Sequence, residues 1–457
     1  MAGLALDPLR EAVRGQVIDP KDPEYNAARA VFNGMIDRKP GAVVRVAGVA
    51  DVIACVTFAR DNGIDLAVRG GGHSAPGFGT VDGGLVIDMV NRKGIRVDPQ
   101  TKTVRAEGGC TWGDFNHATN AFGLATTGGI VSTTGIAGLT LGGGIGYLTR
   151  KCGLSCDNLI SADVVLADGR YVTASEKENQ DLFWALRGGS GNFGVVTSLE
   201  YKLYPIADVY GGPVIYPLEH GEAVARFYRE YMADAPEEFG AFLGYHLGPP
   251  VPFLPEEWHG KPVVVVVGMW TGPMDEGEMR WKPFMDVAPV VGSHVGPMPY
   301  PALNAAFDPL LPPGMQNYWK ASAMPKITDE VITIGQKFGQ KVPSIQTAVH
   351  FYPIDGAVNR VGKDDTAFPH RDVKFQPVVA GMWDDPKQND NNIKWVRDFW
   401  TALQPHSSAG GYINFMDADD QSRIQDNYSG TYAKLATVKK KYDPGNLFHM
   451  NQNIKPA

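Results

Sequence analysis

Arg69-Gly70-Gly71-Gly72-His73-Ser74 is the stretch whose reading decides the fold of this chain. It follows a short apolar run, residues 66–69, with the composition of a strand, so three glycines open the turn that leaves it. Successive glycines let a chain aim several backbone N–H groups at one anion without Cβ collisions, which is how a dinucleotide's pyrophosphate is held. A second stretch, between Gly123 and Gly146, carries nine glycines in 24 residues and no charged side chain. Something large and flat is expected to approach that backbone closely. Gly142-Gly143-Gly144-Ile145-Gly146 would support the opposite side of the same elongated ligand.

Working outward from the first turn, residues 42–46 read as a strand. Residues 49–62 read as a helix with Val52, Cys55, Val56 and Ala59 at buried-face spacing, ended by Gly63. Strand, helix and strand over so short a distance predict a parallel pair with a right-handed crossover. Residues 85–89, 95–97 and 103–106 are further strands, the last two joined by hairpin-turn chemistry at Asp98-Pro99-Gln100-Thr101-Lys102. Thr111 and Asp114 form a capping box before a helix over 112–121.

Gly189-Ser190-Gly191-Asn192-Phe193-Gly194 satisfies the G-x-G-x-x-G fingerprint letter for letter. The fingerprint requires strand first and helix second. Here a helix-like segment (181–186) precedes and a strand (195–203) follows, so a nicotinamide Rossmann site is not expected.

A chain of 457 residues exceeds what one hydrophobic core usually holds. The texture changes near Pro205, towards longer apolar strands such as 262–270 and amphipathic helices near 328–340 and 392–403. The reading is α+β with two domains: 1–204 for the cofactor, 205–410 for the substrate on an antiparallel sheet covered by helices, and 411–457 returning to the first domain. Hydrophobic residues at 44%, charged residues at 20% and a net charge of -8 describe a globular protein with no attraction for nucleic acid or anionic lipid. The basic run 439–441 reads as a solvated helix face. No signal-like or membrane-length apolar stretch occurs, which points to a cytoplasmic location. Cys55, Cys110, Cys152 and Cys156 fit neither a disulfide framework nor a metal site.

Four ordered motifs now carry a resemblance: Arg69 to Ser74, the run 128–146, the block 187–201, and Tyr442-Asp443-Pro444-Gly445-Asn446-Leu447-Phe448 with Asn451-Gln452-Asn453-Ile454. Together they are similar to the berberine-bridge-enzyme-like branch of the vanillyl-alcohol oxidase flavoproteins, with their PCMH-type FAD-binding domain. The resemblance implies FAD bonded through His73. It also implies cofactor contacts from Arg69, Gly70, Gly71, Gly72, Ser74, Gly77, Gly129, Val131, Thr134, Gly135, Gly138, Gly143, Gly144, Gly146, Val196, Asn451 and Asn453. Many relatives make a second flavin bond from a cysteine, whose position here is Val131, so a single attachment is expected. The family's oxygen-gating position is Thr134, small enough to favour oxidase activity.

Tyr412-Ile413-Asn414 resembles the family's Tyr-x-Asn element, in which the tyrosine takes or relays the substrate proton. Lys320 is the candidate cation beside Tyr412. Tyr318, His350 and Trp383 are candidate substrate contacts. The implied reaction is hydride transfer from a C–H bearing a hydroxyl, in a sugar or natural product, with dioxygen reduced to hydrogen peroxide. A dehydrogenase or amine oxidase on an alkaloid-like or aromatic substrate, and a flavin carrier without turnover, stay open as alternatives. No nucleic-acid or membrane partner is implied.

Overall fold

The computed structural model describes residues 4–457, with the backbone alone for Gln421. The predicted strand after the first helix forms, at Leu66–Arg69, and runs parallel to Ala42–Arg45. The two are not neighbours, however. Leu85–Asp88 lies between them and pairs with both, giving the order Gln16–Ile18, Ala42–Arg45, Leu85–Asp88, Leu66–Arg69. The crossover therefore skips one strand position, which local periodicity does not reveal.

The hairpin is present as an antiparallel pair, Ile95–Asp98 with Thr103–Glu107, inside a five-stranded antiparallel sheet. Thr111 caps the helix Trp112–Asn120 with the expected reciprocal bonds to Asp114. The decoy glycine motif lies between the helix Gln180–Leu186 and the strand Val195–Lys202, an order that a Rossmann site does not have.

The second large sheet is antiparallel and built mainly from Asp208–Pro217, Pro262–Trp270, Phe239–Leu247, Ala348–Pro353, Phe375–Trp383 and Gln316–Ala321, in that spatial order. Side chains alternate between its faces with a period of two. Val264, Val266, Phe351, Val379 and Trp383 pack under helices, against Val224, Tyr228, Val331 and Phe399. Val263, Val265, Val267, Tyr352, Val378 and Ala380 face the other way, sharing a core with Ile145, Tyr147 and Leu154 from the glycine-rich half. That second face is where a site between the two halves can form.

The chain's end returns to its beginning: Leu435, Val438, Tyr442 and Ile454 share a core with Leu182, Leu186 and Leu199. One expectation fails here. Lys439 does not lie on a solvated face; it is 0% exposed. Its ammonium donates to Asp443 Oδ2 at 2.6 Å and to the carbonyls of Asn192 at 2.7 Å and Phe448 at 2.9 Å. A buried cation is tolerated only when paired and fully hydrogen-bonded, and here it locks the terminal segment onto the turn at Asn192. Among the described residues, no helix is long and apolar enough to cross a membrane.

Candidate functional site

A cavity of about 440 Å³ lies between the glycine turns and the open face of the large sheet. Its floor is the Gly70–Gly72 turn. Gly71 and Gly135 press back to back, since a Cβ on Gly71 would lie 2.3 Å from the Gly135 nitrogen, so the two loops meet flush and only glycine fits. Gly72 has φ +73°, the left-handed region that turns the chain towards His73. Among the described residues, no hydrogen bond takes up the backbone N–H groups of Gly70, Gly71 or Gly72, which leaves them for an anion.

His73 stands on the cavity wall. Phe32 stacks on its ring at 4.2 Å between centroids, and Nε2 is 3.0 Å from the Thr133 hydroxyl. Burial lowers its pKa to about 4, against a weaker opposing hydrogen bond that the ring donates to the Thr133 backbone. The ring is thus a neutral imidazole at neutral pH, the form in which a nitrogen can be a nucleophile. At the far end Asn451 reaches the cavity with a buried amide oxygen that has no partner. An N–H nest, a neutral histidine and an orphaned acceptor along one elongated cavity are a donor set that fits a dinucleotide with a flat apolar ring.

Most of the expected cofactor positions are on the wall: Arg69, Ser74, Gly129, Val131, Thr134, Gly138 and Val196 with those above. Arg69 is held there by a bidentate pair with buried Asp88, at 2.6 and 3.3 Å. Val131, on the same wall, carries no nucleophilic side chain. All four cysteines are buried and free, and none belongs to the wall.

Gly77, Gly143, Gly144, Gly146 and Asn453 are not wall residues. The glycines among them make room for the protein itself. A Cβ at Gly146 would collide with the Gly128 carbonyl at 1.6 Å, one at Gly144 with the Ser155 hydroxyl at 2.2 Å, and one at Gly143 with the Phe368 ring at 2.8 Å. Gly77 likewise gives way to Ile36. The flat group expected beside this stretch is, at Gly143, the protein's own aromatic ring. Conversely, Ser190 and Gly191 of the decoy motif do line the cavity, with Ser190 in the left-handed region at φ +62°.

The expected proton-handling set is not brought together. Tyr412 is fully buried and off the wall. Its hydroxyl accepts from the Gly144 N–H and from Asn414 Nδ2, both at 2.8 Å. Burial raises its phenol above the ordinary range, more than these bonds lower it, so it is not an anion at neutral pH. Asn414 does reach the wall, and its Nδ2 also donates to the Leu139 carbonyl at 2.9 Å.

Lys320 is not beside Tyr412; its ammonium is bound by Asp419 at 2.6 Å and Asp420 at 3.0 Å. Tyr318 donates to Asp419 at 2.5 Å and accepts from Arg397 at 2.8 Å. Trp383 donates to Asn389 under the helices. These three lie on the covered face, and the intervening Trp319 is the residue that faces the cavity. Of the expected substrate contacts His350 alone is on the wall, and with it stand His246 and Tyr352, which the motif reading missed. Strand alternation from His350 finds Tyr352 two positions on; His246 needs the register between strands.

Comparison with known proteins agrees with this geometry. The family described as an FAD binding domain matches residues 40–175, and the one described as berberine and berberine like matches 411–455. An FAD-linked oxidoreductase of Dictyostelium discoideum is 32% identical over 452 residues, covering 98% of this chain and 96% of its own. The (R)-6-hydroxynicotine oxidase of Paenarthrobacter nicotinovorans is 29% identical, covering 97% of each chain. The crystal structure of 6-hydroxy-D-nicotine oxidase from Arthrobacter nicotinovorans superposes with a TM-score of 0.88 at 26% identity, over 99% of this chain and 100% of that one. With the fold, the cofactor cradle and the terminal segment all matched, the chain belongs to the berberine-bridge-enzyme-like FAD-linked oxidoreductases, enzymes with a PCMH-type FAD-binding domain.

Proposed function

We propose that this enzyme is an oxidase: it takes a hydride from a substrate carbon bearing a hydroxyl and hands the electrons to dioxygen, with FAD bonded to His73 alone. The bound flavin supplies the hydride acceptor and the site of oxygen reduction, and an imidazole substituent strengthens it as an acceptor. The observation that carries the reading is a single cavity joining the His73 turn to the open face of the large sheet, so that cofactor and substrate walls enclose one space. Residues 1–204 and 411–457 then hold the cofactor, and 205–410 the substrate.

The chain's own residues have separable tasks. The N–H groups of Gly70–Gly72 hold the pyrophosphate. Phe32 and Thr133 fix the imidazole, and its low pKa keeps the nitrogen lone pair available for attachment. Val131 leaves His73 as the one attachment point. Thr134 on the wall leaves room for oxygen, and the oxidase named among the relatives supports the same choice.

The test is the intact mass and colour of denatured protein. Wild type should carry the mass of one FAD and stay yellow, and His73→Ala should release all its flavin. Flavin retained covalently in His73→Ala overturns the attachment. Peroxide should form in proportion to substrate consumed in air; fast reduction of an artificial acceptor with negligible peroxide overturns the oxidase.

A further inference from the structure

Three side chains on the substrate wall form one unbroken hydrogen-bond chain. His350 Nδ1 is 2.6 Å from the Tyr352 hydroxyl, and His350 Nε2 is 2.8 Å from His246 Nε2. Strand alternation puts His350 and Tyr352 on one face of Ala348–Pro353. His246 comes from the neighbouring strand, where Gly244 is the residue directly opposite His350. A Cβ at Gly244 would stand 2.8 Å from the His350 ring and 2.9 Å from His246 Nε2. Glycine in mid-strand weakens a sheet, and here its absent side chain is the space in which the two imidazoles meet. No carboxylate, lysine or arginine shifts either ring. His246 is lowered to about 4 by burial, His350 well below its ordinary value by burial and by His246, and Tyr352 is raised by burial.

We infer that Tyr352, His350 and His246 are the proton-conducting chain for the substrate hydroxyl, with Tyr352 at the substrate end and His246 as its last member. The inference rests on the alcohol-oxidase reading above. Each contact holds one proton. When Tyr352 donates to His350 Nδ1, the proton of His350 sits on Nε2 and points at His246 Nε2, whose own proton is then on Nδ1. A substrate hydroxyl donating to the Tyr352 oxygen lets every proton move one place. The substrate O–H breaks, Tyr352 keeps one proton and His350 keeps one, and His246, whose charged form burial disfavours, takes the third at Nε2 in passing and gives up its Nδ1 proton to solvent. The substrate C–H breaks with both electrons leaving as hydride to the flavin, and the C=O bond forms. Charge and electrons balance.

This chain also selects the substrate. Loss of hydride from an alcohol leaves the hydroxyl proton to be placed, and the relay has a place for it. Around it the wall is hydrocarbon: Ile215, Val265, Val267, Val378, Met382 and the face of Trp319. An oligosaccharide would bury a hydroxyl on nearly every carbon, more than the relay, His294 and Gln346 can partner on such a wall. The class that fits is a largely hydrocarbon molecule, aryl or allylic, with one oxidisable hydroxyl.

The experiment measures anaerobic flavin bleaching in the holoenzyme with cinnamyl alcohol, 4-methoxybenzyl alcohol and cellobiose, alongside ¹⁵N-histidine NMR. An aryl or allylic alcohol should bleach the wild type faster than cellobiose. Tyr352→Phe should slow bleaching about 10²–10⁴-fold, the usual scale of acid–base help, with the flavin still bound. His246→Gln should slow it less and introduce a new pH dependence. In the resting protein, Tyr352→Phe should shift the ring nitrogens of His246 as well as His350, because the chain couples them. Bleaching by cellobiose alone overturns the substrate class. An unchanged rate in Tyr352→Phe, or His246 resonances indifferent to that substitution, overturns the relay while leaving the oxidase standing. No bleaching by any of the three overturns the alcohol-oxidase reading and the relay with it.

Discussion

Two polar networks lie on opposite faces of the same sheet, and they differ in kind. On the helix-covered face Lys320 is met by Asp419 and Asp420, while Tyr318 and Arg397 complete the bonding of Asp419. Every formal charge there has its partner inside the protein. On the cavity face Tyr352, His350 and His246 are neutral, with no ion pair among them. A compensated charge network holds structure together; a neutral chain facing a cavity leaves its compensation to whatever binds. The contrast explains why the residue with the strongest charge, Lys320, is on the wrong side for chemistry.

The largest expected effect breaks the structural network. Lys320→Met takes the nearer cation from Asp420, only 2% exposed, and leaves it Arg423 at 3.7 Å; breaking a buried pair from one side destabilises by about 3–5 kcal/mol, and the remaining cation holds the loss to the lower end. Urea unfolding at neutral pH measures this. Flavin bleaching in the fraction that remains folded should stay within a few-fold of wild type. A hundred-fold slower bleaching with unchanged stability would move Lys320 into the chemistry and erase the contrast.

How much of this was legible in the sequence follows from the range of each signal. The Gly70–Gly72 turn, His73, the Thr111 cap and the wrong-way context of the Gly189–Gly194 motif are local, and each is found where the residues indicated. The interposed strand Leu85–Asp88 is a long-range pairing that no window contains. On the sheet, Tyr318, Lys320 and Trp383 have the chemistry of a substrate wall, yet period-two alternation allows only one phase per strand to face the cavity. Trp319 and Met382 hold that phase. The partner of His350 was hidden more deeply, because His246 lies over a hundred residues away and is connected only through register. Glycine density was ambiguous in another way: Gly71 makes room for a neighbouring loop at the cavity, whereas Gly146 makes room for the Gly128 carbonyl, and composition does not distinguish the two.

The second effect sharpens the neutrality of the cavity chain. Burial lowers His246 from 6.5 to about 4, and the titratable groups facing it are His350 and Tyr352. Between those two values the unfolded chain binds a proton that the folded chain does not. Stability is therefore full above pH 6.5 and is lost as the pH falls towards 4, by about 3 kcal/mol for this ring. His246→Gln should remove that contribution, so the difference in unfolding free energy between wild type and variant should change between pH 7 and pH 4.5. His73 and His370 are lowered as well, but they are common to both proteins and cancel; His350, lowered in part by His246, is partly relieved in the variant and adds to the change in the same direction. A difference independent of pH would mean that His246 is not held neutral by the fold.

The smallest effect concerns Tyr412, which lies between the two networks in sequence logic and belongs to neither. Its hydroxyl is the buried acceptor for the Gly144 N–H and the Asn414 amide, so it fixes the backbone of the second glycine stretch against the loop that carries Asn414 and Phe415 to the cavity. Tyr412→Phe keeps the ring and removes the acceptor, leaving buried N–H groups unpaired at a cost of roughly 1–3 kcal/mol. Thermal or urea unfolding should show that loss, and bleaching should stay within a few-fold of wild type. Should the rate instead fall by about two orders of magnitude or more, the scale of lost acid–base help, with stability intact, Tyr412 would have to reach the substrate in the working enzyme. The proton would then leave through the glycine stretch rather than through the histidines of the sheet.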